Sequence, residues 1–164
     1  MRTSWADWYQ NGKKHVAFYG NWNFRNSFIG SGSAYDASAM AISGFSSTCW
    51  TNIDTGIIVQ DDRGYRHDLG WLKNSGHQTS VFGIQDRTKA FRLYNDMGMV
   101  WIVMRRDRSG TTCTGRKTGK FYYEHNEGGT GGWSASVTIK VLSISYSGSG
   151  GQRLQKATPI SYYN

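Results

Sequence analysis

The stretch HVAFYGNWNFRN (His15–Asn26) aligns without a gap with the stretch GIIVQDDRGYRH (Gly56–His67). An offset of 57 − 16 = 41 residues matches apolar or aromatic residues at four places: Val16 with Ile57, Phe18 with Val59, Phe24 with Tyr65, and Phe28 with Leu69. In both copies apolar and polar residues alternate, then a polar turn and an aromatic residue follow, and this alternation is typical of half-buried strands. A period of about forty residues is long enough for a four-stranded unit. The sequence therefore predicts two related β-units, each covered by its own aromatic ring.

The rest of the chain shows the same short alternating runs between turn residues. The clearest runs are His15–Tyr19, Gly56–Gln60, Lys89–Tyr94, Met99–Met104, Lys120–Tyr123 and Ser136–Tyr146. With 21 glycines and a single proline, the composition favours tight turns between strands. Only Tyr35–Ile42 is a candidate for a short helical turn. We therefore predict an all-β protein built as a sandwich or a barrel.

Several residues of the two units match a known motif. They are Phe18-Tyr19, Phe24, Gly30, Gly32 and Tyr35-Asp36 in the first unit, and Asp86-Arg87-Thr88 followed by the run Ala90–Tyr94 in the second. Over about residues 15–94 this pattern resembles the βγ-crystallin superfamily, whose Greek-key motif combines a strand, an aromatic-bearing hairpin, a glycine and a later Tyr-Asp. The resemblance implies a Greek-key β-sandwich of short antiparallel strands, with units at about residues 15–52 and 56–95.

The remaining residues extend this domain and then change in character. Residues 99–146 match the family poorly but remain strand-like, so we expect residues 1–146 to form a single β domain with further strands at 99–146. Residues 147–164 begin with the Gly/Ser-rich run Ser147–Gly151, which predicts a linker and a C-terminal tail. The tail is either a frayed end or a strand that docks back onto the domain.

The resemblance also raises the question of calcium. The corresponding stretches keep Ser46 in the first unit and Asp86 in the second, and these are the candidate calcium ligands. Calcium prefers six to eight oxygen ligands, whereas Lys89 stands where the second site needs an oxygen. We therefore expect no metal and no cofactor, with calcium at Ser46 and Asp86 as the alternative.

Charge and cysteine content narrow the partners and the location. A net charge of +8 and a pI near 9.6 favour polyanions such as nucleic acid, acidic glycans or an anionic surface, although the charge could also serve solubility alone. No apolar run is long enough to span a membrane, and Met1–Asn11 has no leader-like segment. Cys49 and Cys113 can form one disulfide. We expect a secreted or cell-surface protein, with a cytoplasmic one as the alternative, and the sequence indicates no oligomeric state.

The candidate binding residues form a basic, aromatic-flanked hairpin. They are Arg105, Arg106, Arg108, Arg116, Lys117 and Lys120, followed by Tyr122, Tyr123 and Trp133. Arginines at this density can bind phosphate, sulfate or carboxylate groups in a bidentate manner, and aromatic faces beside cations suit sugars or unstacked bases. The leading hypothesis is non-catalytic recognition of a polyanionic or glycan surface. The alternative for this stretch is a solvated edge hairpin whose charges prevent sheet-to-sheet pairing.

Two further functions compete with this one. Small bacterial relatives of the family include protease inhibitors and killer toxins, and the loop Ser109–Gly119, tethered through Cys113, is the candidate inhibitory loop for a protein target. A metal-independent ribonuclease toxin would instead need His67, His77 and His125 to converge, because one imidazole removes the 2′-hydroxyl proton and another protonates the leaving group. No zinc-helix, nucleophile-elbow or phosphate-loop motif is present, so the sequence favours a protein without enzyme activity.

Overall fold

The computed structural model describes residues 1–23, 35–85, 88–89, 92–93, 97–127, 133–138, 143–148, 152–158 and 161–163. Across these residues the chain is built from strands, with one short 3-10 turn at Thr111–Cys113 and no α-helix. All strand pairs are antiparallel, and two large sheets pack face to face. The predicted all-β sandwich is confirmed. No helix among the described residues has the length and apolar character needed to cross a membrane.

The strands are numbered here in chain order. They are β1 Arg2–Gln10, β2 Lys13–Asn23, β3 Tyr35–Ser43, β4 Trp50–Gln60, β5 Arg66–His67, β6 Gly70–Ser75, β7 Thr79–Gln85, β8 Thr88–Lys89, β9 Arg92–Leu93, β10 Met97–Arg106, β11 Lys117–Glu127, β12 Trp133–Thr138, β13 Ser143–Gly148, β14 Gln152–Ala157 and β15 Ser161–Tyr163. Sheet A has the order β1-β2-β10-β4-β5, and sheet B has the order β14-β11-β3-β7-β6, with β15 also paired to β11. The chain therefore changes sheet repeatedly, from β2 to β3 to β4 and again from β10 to β11.

Both strands of the internal repeat lie in sheet A. β2 and β4 flank β10, and Val100 of β10 lies opposite Gly20 on one side and Ile57 on the other. The spatial offset is therefore 57 − 20 = 37 residues instead of the 41 of the sequence alignment. The predicted boundary between the two units falls inside β4, which is one continuous strand.

Phe24 and Tyr65 are the two aromatic residues predicted to fold over the hairpins of the repeat. Tyr65 is 67% exposed, so it does not fold over its hairpin, and that prediction is wrong. Its turn is organised by Asp61, whose carboxylate accepts hydrogen bonds from the backbone N–H groups of Arg63 and Tyr65. Phe24, Gly30 and Gly32 lie outside the described residues. The βγ-crystallin resemblance itself stays a prediction.

Sheet B contains two segments whose sequence favoured something else. The helical turn predicted at Tyr35–Ile42 is wrong, because these residues belong to β3, which pairs with β11 on one side and β7 on the other and so satisfies its backbone hydrogen bonds. The tail docks back onto the domain, since β14 and β15 both pair with β11. The linker predicted from Ser147 is partly strand, because β13 extends to Gly148.

The core lies between sheets A and B and is rich in aromatic rings. Its fully buried large side chains include Phe18, Phe45, Phe82, Phe121, Met40, Ile42, Ile84, Ile102 and Met104. In β10 the residues Val100, Ile102 and Met104 face this core, and the strand ends at Arg106 on the same side. The core therefore fixes which basic side chains reach the rim of the sandwich at the end of β10.

Candidate functional site

A disulfide fixes the loop that follows β10. Cys49 and Cys113 are joined, so the bond that the sequence allowed is formed. The Trp50 indole N–H donates to the backbone oxygen of Cys113 at 3.2 Å. The backbone N–H groups of Asp107 and Arg108 both donate to the oxygen of Cys49, at 2.8 and 3.3 Å. These bonds hold the start of the loop and its middle against the beginning of β4.

Asp107 organises the basic residues around the start of this loop. Its carboxylate accepts hydrogen bonds from the Arg105 Nε and the Lys13 Nζ, each at 2.8 Å, and from the Thr51 hydroxyl at 2.6 Å. Arg105, followed by Lys13 and Thr51, holds the pKa of the Asp107 carboxyl well below its ordinary value of 3.8. Two of the local cations are therefore already partly neutralised.

A cavity of about 270 Å³ lies between the β1–β2 turn and the residues after β10, and we call it the basic groove. It is lined by Tyr9, Gly12, Lys13, Lys14, Arg106, Asp107, Arg108 and Ser109. The Arg106 Nε donates to the backbone oxygen of Arg108 at 3.0 Å, which leaves the outer edge of the guanidinium available. Within the described part of the chain, neither Arg106 nor Arg108 forms an ion pair with a carboxylate.

A second cavity of about 170 Å³ adjoins the basic groove through shared residues, and we call it the inner pocket. It is lined by Lys14, Trp50, Arg106, Cys113, Thr114, Gly115, Lys117 and Tyr163. The Lys14 Nζ lies 3.0 Å from the Asp7 carboxylate and 5.2 Å from the centre of the Tyr163 ring. The Tyr163 hydroxyl, followed by Asp7, raises the pKa of Lys14, so this ammonium group keeps its charge.

The predicted patch divides among several surfaces. Arg106 and Arg108 line the basic groove, whereas Arg105 is bound to Asp107 and Arg116 is exposed on the loop. Lys117 is buried in the inner pocket, only 2% exposed. The basic residues of the predicted hairpin therefore do not lie on one surface, because neighbouring residues of a strand point to opposite faces.

The remaining predicted residues lie away from the groove. Lys120 and Tyr122 are on the outer face of sheet B, where the Lys120 Nζ lies 5.0 Å from the centre of the Tyr122 ring. Tyr123 is buried and its hydroxyl donates to the carboxylate of Asp36 at 2.7 Å. Trp133 lies at the start of β12. Neither Tyr122 nor Tyr123 lines either cavity.

The predicted binding residues do not include Lys13, Lys14, Tyr9 and Tyr163, which line the two cavities. The overlooked signal is the dipeptide Asn11-Gly12, whose φ angles of 51° and 72° are those of a two-residue type I′ hairpin turn. That turn pairs Gln10 with Lys13 and so fixes both lysines at the end of the sandwich. Their proximity to Arg106 arises from the pairing of β2 with β10, which joins residues about ninety positions apart.

The histidines of the ribonuclease alternative are held in separate places. Each is hydrogen-bonded to a different partner at 3.0 Å: His67 to the Asp61 carboxylate, His77 to the backbone oxygen of Phe45, and His125 to the Asp36 carboxylate. Phe45 follows the end of β3 and Asp36 lies near its start, so His77 and His125 are roughly 20 Å apart at about 3.3 Å per residue. The three imidazoles therefore do not converge.

The candidate calcium residues give no metal centre in the described structure. Ser46 is exposed and its hydroxyl lies 2.8 Å from that of Thr48, while Asp86 lies outside the described residues. Among the residues that can be assessed, no group of three or more His, Cys, Asp or Glu side chains could hold a metal ion.

Comparison with known proteins adds no assignment. No protein-family model matches the chain, and no curated protein matches it at a significant level.

Proposed function

We propose that the basic groove binds an anionic glycan and that this binding, without catalysis, is the function of the protein. The observation that carries the proposal is the pair Arg106 and Arg108. Both line the groove beside Lys13 and Lys14, and neither is ion-paired with a carboxylate among the described residues. A guanidinium presents a rigid fork of donors that matches a sulfate or carboxylate group in bidentate geometry.

The charge of the whole chain supports the same partner. A net charge of +8 raises the local concentration of polyanions and speeds their association, and both effects weaken as salt screens the charges. Asp7 and Asp107 offset part of the positive charge at the groove by binding Lys14, Lys13 and Arg105. The two arginines therefore provide most of the cationic charge that a ligand would meet.

The aromatic residues favour a glycan over a single-stranded nucleic acid. Proteins that bind unstacked bases supply several aromatic faces along a basic groove. Here one ring at the basic groove is widely open, that of Tyr9 at 71% exposure, whereas Tyr122 and Tyr123 lie elsewhere. One open ring beside several cations suits a sugar ring that carries acidic groups.

The disulfide supports a location outside the cell. Bonds such as Cys49–Cys113 persist in oxidising compartments and are rare in the cytosol. We therefore include a secreted or cell-surface location in the proposal, where acidic glycans are available as partners.

A second candidate function, inhibition of a protease, is favoured by the same disulfide. The loop between Ser109 and Gly119 is exposed over most of its length, and Cys113 fixes its middle. A rigid exposed loop costs little entropy on binding, which suits an inhibitor. This function predicts stoichiometric inhibition of a protease that is lost when the disulfide is reduced.

The proposal is tested by retention on three immobilised polyanions at two salt concentrations. We expect the protein to be retained on heparin at low salt and released as salt rises, with weaker retention on desulfated heparin and on single-stranded RNA. Retention that does not change with salt, or absence of retention on heparin at low salt, would overturn the proposal. Preferential retention on RNA would identify nucleic acid as the partner instead.

A further inference from the structure

Lys117 is a buried cation with no acidic partner among the described residues. Its Nζ donates to the backbone oxygens of Thr114 and Gly115, at 3.3 and 3.0 Å. The same Nζ lies 5.5 Å from the centre of the Phe45 ring and 5.6 Å from that of Trp50. No carboxylate of the described residues is within ion-pair distance of it.

This arrangement has a desolvation cost. An ammonium group removed from water loses solvation that two carbonyl oxygens and two ring faces replace only in part. It carries three N–H donors, of which the two carbonyl oxygens use two. Burial, followed by the nearby charge of Arg106, lowers the pKa of Lys117 below its ordinary value of 10.5. Among the described residues, no carboxylate supplies the negative charge that this buried ammonium group favours.

We propose that the inner pocket binds one sulfate group of a sulfated sugar, held by Lys117, Arg106 and Lys14. This inference rests on the proposed function and names the chemical group that the protein recognises. The basic groove then holds the rest of the acidic chain, because the two cavities share Lys14 and Arg106.

The geometry favours a tetrahedral oxyanion. The three cations reach the inner pocket from three strands, Lys14 from β2, Arg106 from β10 and Lys117 from β11. A sulfate ester presents three terminal oxygens in different directions and can meet donors from three sides, whereas a carboxylate presents two oxygens in one plane. The rings of Trp50 and Tyr163 also line the pocket and provide apolar surface for the attached sugar.

Thermal unfolding with inorganic sulfate tests the pocket alone. The wild-type protein and Lys117→Met are titrated with sodium sulfate, with sodium chloride at equal ionic strength as the control. Methionine keeps an unbranched side chain against Phe45 and Trp50 and removes the charge. We expect a saturable rise in the wild-type Tm of about 5–10 °C at a hundredfold excess over Kd, and no saturable rise in Lys117→Met. Any general stabilisation by sulfate as a kosmotrope affects both proteins equally.

An equal response of the two proteins to sulfate would overturn the proposal. Should Lys117→Met fail to fold, Arg106→Gln serves instead, and it should weaken sulfate binding at least about tenfold if a charge-assisted contact of about 1.5 kcal/mol or more is lost. An unchanged affinity of Arg106→Gln would also overturn it. Retention on heparin without saturable sulfate binding would refute the inner pocket and leave the proposed function standing. Saturable sulfate binding without retention on heparin would refute the proposed function and leave the sulfate site in the inner pocket standing.

Discussion

The ring of Phe18 occupies the space that a side chain at Gly119 would fill. A Cβ atom built at Gly119 would overlap the Phe18 ring, and one built at Gly20 would overlap the ring of Phe121. β2 of sheet A and β11 of sheet B are thus interlocked by two reciprocal contacts between a phenylalanine and a glycine. Because β2 carries Lys14 and β11 carries Lys117, this interlock also fixes the spacing between two cations of the inner pocket.

Gly119→Ala should destabilise the protein by about 1–3 kcal/mol, because overpacking a filled core forces side chains and backbone to move. The free energy of unfolding in urea measures the loss. The double variant Gly119→Ala with Phe18→Leu tests the cause, since a smaller side chain makes room for the new methyl group. We expect the double variant to be more stable than the sum of the single effects predicts. Strict additivity of the two substitutions would show that the ring and the glycine are not coupled.

Removing the disulfide should destabilise the fold and loosen the loop after β10. Cys49 and Cys113 are 64 residues apart, so the chain-entropy model gives a loss of about 4 kcal/mol for Cys49→Ala with Cys113→Ala. Hydrogen exchange of the Asp107 and Arg108 amides, which donate to Cys49, should accelerate in the double variant. Urea unfolding and hydrogen exchange that both match the wild type would contradict this role.

Asp107→Asn should strengthen binding to heparin. The substitution removes the negative charge that pairs with Lys13 and Arg105, so the net positive charge beside the basic groove increases. The salt concentration that elutes the variant from heparin should rise, whereas Asp68→Asn should change elution less, because Asp68 is an exposed residue directly after β5, which pairs with the end of β4 remote from the groove. A lower elution salt for Asp107→Asn would show that Asp107 positions the cations more than it neutralises them.

The low pKa of Asp107 predicts that the folded protein loses stability as the pH falls. The pKa of Asp107 is lower in the folded protein than its ordinary value of 3.8, so the unfolded chain takes up the proton first as the pH falls. The stabilisation from Asp107 is therefore complete above the ordinary pKa and is lost below about pH 4. Thermal unfolding between pH 6 and pH 2 should show a shallower loss in Asp107→Asn than in the wild type. Parallel curves would contradict the assignment.

Tyr123→Phe should cost about 1.5–3 kcal/mol of unfolding free energy, because it removes one hydrogen bond to the buried Asp36 carboxylate. Asp36→Asn should cost more, since it also removes the charge that holds His125 at 2.9 Å. Urea unfolding of the two variants measures both losses of unfolding free energy and shows which is larger. A loss in Asp36→Asn no larger than in Tyr123→Phe would show that the pairing with His125 adds no stability.

The strands could be predicted because the alternation of apolar and polar residues is visible within each segment. The site could not, because it depends on the pairing of strands that are distant in the sequence. Alternation such as Val16, Phe18 indicates a half-buried strand whatever the partner, and both residues are buried. The basic run after Val103 looks continuous in sequence, yet alternation along β11 directs Lys117 inward and Lys120 outward. The register of β2 against β10 follows from the whole sheet, so no local pattern could place Lys14 beside Arg106.

β3 shows why local propensity fails at the centre of a sheet. Residues 37–41 read ASAMA, which are small or helix-compatible residues. Pairing with β11 and β7 on both sides satisfies every backbone group that a helical turn would satisfy, and it also buries Met40 and Ile42. Tertiary contacts therefore decide the conformation of this segment.

The central claim is that Arg106 and Arg108 bind the acidic ligand, and calorimetric titration with a heparin oligosaccharide at low salt tests it most directly. The matched control is Arg63→Ala with Arg66→Ala, which removes the same charge from exposed positions. β10 separates this control from the basic groove by roughly 30 Å, at about 3.3 Å per residue. We predict that Arg106→Ala with Arg108→Ala weakens binding at least about a hundredfold, from two charge-assisted contacts of about 1.5 kcal/mol each, and that the control weakens it far less. Equal losses in the two double variants would contradict the account, because binding would then depend on net charge and not on the basic groove.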